Sequence, residues 1–510
     1  MTDCGDTTPG GAPGQLRFLI LGATAGDTIV IPASCPAIVL TGGPDEDAGQ
    51  EGDLDIAADL TIRGQGPGVT AIDADQLDRV LNVHGNANLT LENLTLRNGD
   101  ATKNVSATVG GGIYNSNGTL TLLNVGVVDN RATAGGGIWD DCGAMNLTNF
   151  TVSGNVATAG PGGGIRNSCG GGPGETLTNG TVSNNTATAG GGGVYTSQPI
   201  TLQNVTVAEN LADSDGVGNE GGGGIFNEGT VVTIRNTLLA GNTLGGGGTG
   251  PSCNEVTSAG HNLIGDDIGC TVLDEDPGTD LIPNANAYLG PLADNGGGLG
   301  TRALQAGSAA IDAGGSIGCP ATDARRFLRP TDGDADGASA CDIGAYERLV
   351  SQATLDMSLN QAILRAGEQV SVGVSVTNPG PETHVTALLL FIAPASASDA
   401  LGCPGGTGPA GAFIVDGGAG AAVVCLGTAL PGAYASFAAN VVLPPGLAIV
   451  TGAAPFTVPN VFSATLPPGM PLGTWQVFMV FAPVNAFADN VLQLADDVLA
   501  VDSATFEVVP

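Results

Sequence analysis

The sequence predicts an all-β chain, a parallel β-helix built by repetition followed by an antiparallel β-sandwich. Three observations carry this. Between Gly110 and Asn242 one unit recurs five times, each copy opening on a glycine run that ends in an aliphatic residue: Gly112-Ile113, Gly137-Ile138, Gly164-Ile165, Gly193-Val194 and Gly224-Ile225. Each run leads into an alternating strand with two asparagines six residues apart, at 124/130, 149/155, 179/185, 204/210 and 236/242. From about Leu349 the pattern changes to longer alternating strands between Gly/Pro turns, as in EQVSVGVSVTNPG and TWQVFMVFAP.

A period of 25 to 31 residues is that of a solenoid, whose units cannot bury an apolar face alone and must stack. Glycine triplets and β-branched alternation exclude helical repeats, and no leucine-rich signature is present. In a parallel β-helix, equivalent residues of successive coils lie about 4.8 Å apart. Both asparagine columns are therefore expected to be buried ladders, with amides bonded coil to coil.

The elements follow in order. Residues 1–50 do not repeat and are expected to form an N-terminal cap, with a short helix within Gln15 to Ala25 across the open end of the β-helix. Residues 51–348 are expected to form the β-helix with a C-terminal capping region, its first coils less regular. Asn93 fits the first asparagine column, whereas Asn98 is one residue out of step with the second. Residues 349–510 supply the strands of the sandwich.

Composition narrows the function. The formal charge is −35, Lys103 is the only lysine, and no lysine or arginine follows Arg365, which argues against a nucleic-acid or anionic-membrane partner. No apolar run reaches the length of a membrane span. Ten cysteines in such a chain favour an oxidising compartment, and none shows the short paired spacing of a zinc site. They fall into local pairs: Cys4/Cys35, Cys142/Cys169, Cys253/Cys270, Cys319/Cys341 and Cys403/Cys425. Cys142 and Cys169 each lie four residues after their coil's isoleucine, so register stacks them at disulfide distance; the other pairings rest on proximity in sequence. No secretory leader is visible at Met1, so a mature or processed form is expected.

Three features are candidates for chemistry. The position two after the conserved aliphatic reads Asn115, Asp140, Asn167, Thr196, Asn227, and the next reads Ser116, Asp141, Ser168, Ser197, Glu228. Acids are sparse in both rows, which favours a solvated polar turn over a pectin-lyase-like catalytic groove, and His84, His261 and His384 are too dispersed for a triad. Asp332, Asp334 and Asp336 alternate ahead of Gly337, with Asp342 nearby, like the first half of a calcium loop; a glutamate is missing at its twelfth position, so any calcium would be structural. The residues directly after the aliphatics, Tyr114, Trp139, Arg166, Tyr195 and Phe226, should point outward if the aliphatics point inward. Such a stripe is a candidate surface for glycans or proteins, or a face covered by another part of the chain.

The segments GPLADNGG, ALQAGSAAIDAG, CPATDARRFLRP and CDIGAYE, between Gly290 and Glu347, together resemble the end of choice-of-anchor Q proteins. Arg326 stands where that pattern has glycine. The stretch Leu16-Arg17-Phe18-Leu19-Ile20 resembles a CSLREA-type start, and the glycine and asparagine repeats resemble those of polymorphic outer-membrane proteins. The resemblance implies a right-handed parallel β-helix on a bacterial surface or secreted, with no enzymatic activity. The opening strands after Leu349 resemble immunoglobulin-like modules of bacterial surface proteins. The expectation is thus a secreted or surface-displayed structural or adhesive protein, with a pectin-lyase-like carbohydrate-active enzyme or a glycan-binding protein as the alternative. Two assembly states are weighed, a tethered monomer and a head-to-tail polymer in which the sandwich of one copy meets the β-helix of the next near Arg325, Arg326, Arg329, Arg348 and Arg365.

Overall fold

The computed structural model describes residues 1–349 apart from 45–48, 105–107, 170–173, 219, 277, 283–284 and 335, and beyond these chiefly the backbone of strands between Thr354 and Val509. The chain divides into two compact units, Met1–Leu349 and Val350–Pro510.

The first unit is a parallel β-solenoid of about eight turns. A regular coil has three strands, for example Ile113–Ser116, Thr119–Val128 and Arg131–Ala132. Stacking gives three parallel sheets. The longest path starts at Asp27–Val30 and ends at Thr271–Asp274, one sheet joins Leu54–Ile56 to Ile225–Asn227, and a short one joins Arg131–Ala132 to Thr243–Leu244. Register keeps like on like: Ile138 pairs with Ile113 and Ile165, and Leu147 with Leu122 and Leu177. These inward columns are fully buried and make one continuous core, which is how units that cannot fold alone become stable together.

The second asparagine column is the ladder that spacing predicts. Asn155 receives hydrogen bonds at Oδ1 from the Asn130 backbone N (2.9 Å) and Nδ2 (3.0 Å). It donates in turn to Asn185 Oδ1, and the pattern runs on through Asn210 to Asn242. The second amide hydrogen is used too, since Asn155, Asn185, Asn210 and Asn242 each donate at 2.9 Å to a strand carbonyl. The glycine runs make room for this: a Cβ on Gly137 would stand 2.6 Å from the Gly164 carbonyl and 2.9 Å from Asn155. Gly99 occupies the ladder position in the coil of Asn98 and donates its N–H to Asn130 at 2.8 Å, which accounts for the one-residue offset.

The first asparagine column departs from expectation. Asn93, Asn124, Asn149, Asn179, Asn204 and Asn236 all have positive φ, between 47° and 59°. They bend the long strands, a task asparagine tolerates better than other non-glycine residues. Only Asn124 bonds to the column's next member, Asn93, at 2.8 Å. Asn179 and Asn236 instead meet a segment that runs back along the solenoid's flank: Asn179 donates to Thr322 O (2.7 Å), and Asn236 exchanges two bonds with Gly315. Thr151 donates to Gly300 O at 2.7 Å, across 149 residues of sequence. Residues 290–347 therefore form a lateral strap, where the sequence suggested an end cap.

At the N-terminal end, helix Leu16–Leu21 buries Leu16 and Ile20 in the solenoid core. Arg17, 1% exposed, forks onto Asp6 at 2.8 and 2.9 Å and donates to the carbonyls of Gly49, Glu51, Gly52 and Asp53. Every donor of this buried cation is thereby occupied, which a buried guanidinium requires.

The second unit holds two sheets. One joins Thr354–Leu359, Gln369–Thr377 and Phe456–Thr465, all antiparallel. The other runs through Ile363–Arg365, Ala500–Val509, Gly473–Pro483, Thr383–Ile392, Ala412–Asp416 and Gly420–Val424, antiparallel after its first pair.

Candidate functional site

Strand alternation places the aromatic stripe on the outer face of the second sheet, with Trp139 in register between Tyr114 and Arg166, and Tyr195 between Arg166 and Phe226. The side chains spend their π-faces on one another. Arg166 lies 4.0 Å from the Trp139 ring and 5.6 Å from that of Tyr195. Tyr195 and Phe226 are stacked at 5.4 Å, and Tyr114 meets Trp139 edge to face at 6.2 Å. Each such contact is worth roughly 0.5 to 1.5 kcal/mol. The polar handles are also engaged: Tyr114 Oη donates to Asp141 (3.2 Å) and Trp139 Nε1 to Ser168 (2.8 Å). Burial and the neighbouring Glu228 push the Tyr195 hydroxyl pKa up. A sugar stacks on an exposed aromatic face, and in this ladder Trp139 and Tyr195 turn their faces along the stack.

The row Asn115, Asp140, Asn167, Thr196, Asn227 is not a solvated turn. It points inward, and its members are 0 to 5% exposed. Asp140 bonds to Asn115, and Asn167 Nδ2 donates to Glu175 Oε2 at 2.7 Å. Glu175, 2% exposed, stands in register with Ile200, in a column otherwise apolar. Burial, then the Asp140 charge, raises the Glu175 pKa to about 9. Burial likewise raises Asp140 to about 6. The two carboxyls therefore hold a proton between them at neutral pH, inside the solenoid. The remaining acids of these rows, Asp141 and Glu228, lie in different coils and attend Tyr114 and Tyr195. His84 pairs with Asp55, and His261 Nδ1 is 3.1 Å from Ala313 O, so each is tied locally.

The strap absorbs most of its charged motif residues. Arg325 bonds Asp323 (2.8 Å) and Glu347 O (2.6 Å) and lies over Phe327 and Tyr346. Arg329 donates to Asp342 O (3.0 Å) and Gly344 O (2.7 Å). With its amide oriented to donate to Gly318 O (2.7 Å), Asn204 accepts from Arg329 Nη1 at 2.8 Å, so the clasp also grips the bend column. Arg325 and Arg329 are buried and offer no charge to a second copy, contrary to the polymer contact weighed from sequence. Arg326 is exposed with φ +71°, which accounts for glycine at this place in the pattern it resembles. Arg326→Gly is expected to raise stability by up to about 1 kcal/mol, read as a higher denaturation midpoint with unchanged slope.

Of the predicted calcium ligands, Asp332 and Asp334 come together with Asp312, which sequence reading missed; one carboxylate oxygen from each lies within 4.8 Å of the others. Asp342 is buried and accepts from the backbone N–H groups of Asp312 (2.7 Å) and Arg348, and Asp336 accepts from Ala338 N (2.7 Å). Burial, with Asp334 and Asp332 adding repulsion, holds Asp312 above the usual carboxylate range. Three converging oxygens suit a hard cation. Calcium titration is expected to raise the unfolding temperature, and Asp312→Asn to abolish the increase; an unchanged midpoint at millimolar calcium would remove the site.

Four of the expected disulfides are formed, Cys4–Cys35, Cys142–Cys169, Cys253–Cys270 and Cys319–Cys341, with Cα separations of 5.2, 4.9, 4.9 and 6.1 Å. Cys403 and Cys425 lie outside the described residues.

No protein-family model matches the chain, and no curated protein matches it. Among solved structures, Spo0M, a sporulation control protein from Bacillus subtilis, aligns over 31% of this chain and 49% of its own, at 16% identity and a TM-score of 0.15. The match spans about half of that protein and, at this similarity, carries no argument.

Proposed function

We propose that the protein is a secreted or surface-displayed structural β-solenoid, without enzymatic activity, that presents a stiff scaffold for adhesion or extracellular assembly, with an immunoglobulin-like C-terminal module. The observation that carries this reading is the fate of the polar side chains. The acids that a pectin-lyase-like groove would need are spent elsewhere: Asp140 and Glu175 inside the coil, Asp141 on Tyr114, Asp323 and Glu347 on the strap's arginines. Disulfides between neighbouring coils, Cys142–Cys169 and Cys253–Cys270, suit an oxidising exterior. Among the described residues no helix is long and apolar enough to cross a membrane.

The test is protease shaving of intact source cells, with the same protein assayed on polygalacturonate and neutral polysaccharides. The expected result is removal from the cell surface or recovery from the medium, with no release of reducing ends or unsaturated products. A protease-protected internal pool would overturn the location. Turnover that Asp141→Asn or Glu228→Gln abolishes would overturn the structural role in favour of the enzyme.

A further inference from the structure

The long sheet finishes at each end in a strand with one paired neighbour among the described residues. Strand Asp27–Val30 pairs with Leu60–Arg63 alone, and strand Thr271–Asp274 with Glu255–Ser258 alone, among the described residues. We propose that the outer edge of Asp27–Val30 is a strand-acceptor site for Thr271–Asp274 of a second copy of this chain, so that the sheet continues in parallel from one copy into the next.

Backbone geometry supports the pairing first. Ile31 N donates inward to Arg63 O at 2.8 Å, and Thr271 N and Glu275 N donate inward to Asn254 O and Ser258 O at 2.8 and 3.0 Å. In a parallel ladder alternate residues bond to opposite sides. The outward groups are therefore those of Thr28 and Val30 at one end, and of Val272 and Asp274 at the other. Both strands run the same way within one parallel sheet, so stacking by translation sets outward donors opposite outward acceptors.

Side chains then choose a register. Val272 stands in the inward column, opposite buried Val256, and Ile29 is the buried residue of its own strand. Placing Val272 over Ile29 satisfies the hydrogen-bond parity. It also sets Thr271 over Thr28 and Leu273, 50% exposed, over Val30, 44% exposed. The acceptor edge has a groove ready beside it: a cavity of about 290 Å³ lies between Met1, Leu19, Gly22 and Ala23 on one side and Asp27–Val30 on the other. The Met1 amino group already donates to Val30 O there, at 3.4 Å, and the incoming Asp274 N–H would take that carbonyl's second lone pair. Helix Leu16–Leu21 packs against strands Asp27–Val30 and Leu54–Ile56, and the cavity keeps open the side of Asp27–Val30 that the incoming strand needs. Such a contact is heterologous and does not close by itself, so it propagates. This differs from the sandwich-to-solenoid contact weighed from sequence. It deepens the structural reading above, yet a surface protein that stays monomeric would refute only this contact.

Both ends carry carboxylates, Asp27 at one and Glu275 and Asp276 at the other, so assembly should strengthen as salt screens them. The experiment is sedimentation velocity and negative-stain imaging of the full chain over a range of concentration and ionic strength. Thr28→Pro removes one outward N–H without touching an inward bond, as proline on an edge strand does, and Val272→Pro does the same at the other end. Wild type is expected to form end-to-end filaments, and each variant alone to remain monomeric with unchanged circular dichroism. Their mixture should give dimers that do not grow, since Val272→Pro keeps the acceptor edge and Thr28→Pro the donor edge. Monomers of wild type under all conditions would overturn the proposal, and so would filaments that survive either substitution.

Discussion

Raising the pH from about 5 to about 9 is expected to destabilise the solenoid, and Glu175→Gln to remove most of that loss. Glu175 and Asp140 are held above the usual carboxylate range, to about 9 and about 6, chiefly by burial. The unfolded chain releases both protons near pH 4, whereas the fold retains them. Stability from this pair is therefore complete below that pH and drains away as pH rises through the folded values. Each retained proton costs about 1.4 kcal/mol per pH unit over that window. Glutamine keeps the shape, accepts from Asn167 as Glu175 Oε2 does at 2.7 Å, donates to Asp140 and cannot ionise. Unfolding midpoints measured at intervals across the window should diverge between the two proteins, wild type falling more steeply. Parallel profiles would mean that the pair is hydrated and ionised in solution. The self-repulsion of a chain of charge −35 is nearly common to both proteins, so their difference isolates the buried pair.

Repetition made the solenoid legible. Five copies in register predict which residues stack, and the disulfide Cys142–Cys169, the ladder at Asn155 and the outward course of Trp139 all follow from it. The same alternation that sends Tyr114 outward sends Asn115 inward, so a buried row could have been read where a polar turn was expected. Glu175 was equally readable, because it aligns with Ile200 in an inward column. The bend at Asn124 was not, since a column of asparagines suits a ladder and a left-handed kink alike and only the backbone distinguishes them. Nor was the strap: the bond from Thr151 to Gly300 spans 149 residues, and nothing local to either residue encodes it. Asp312 was missed for a related reason, being brought to Asp332 and Asp334 by the strap's own fold rather than by spacing along one loop.

Replacing one rung of the true ladder is expected to cost more than any other single side-chain change in the repeat. Asn185 has no exposed surface. Its Oδ1 accepts from the Asn155 backbone N and Nδ2 at 3.0 and 2.9 Å. Its own Nδ2 donates to Val152 O and to Asn210 Oδ1, both at 2.9 Å. Leucine has nearly the same outline, so Asn185→Leu would fill the space and take the partner from three groups, the Asn155 backbone N–H, one Asn155 amide hydrogen and the Val152 carbonyl, while Asn210 Oδ1 keeps the backbone N–H of residue 185. At roughly 1 to 3 kcal/mol for each unsatisfied group, the loss is on the order of 3 kcal/mol or more. The space cannot relax cheaply, because Gly164 already lies so close that a Cβ there would be 3.0 Å from Asn185. Solenoid stability is a sum over neighbouring repeats, so a broken rung should also uncouple the coils on its two sides. The expected result is a thermal transition that splits in two, with amide hydrogen exchange faster in the coils of Asn155, Asn185 and Asn210 than in those near the N-terminal cap. Thr176→Leu, an exposed change in the same coil, should leave the single transition in place. If Asn185→Leu melted in one step at the temperature of Thr176→Leu, the ladder would be a consequence of the stack rather than one of its supports.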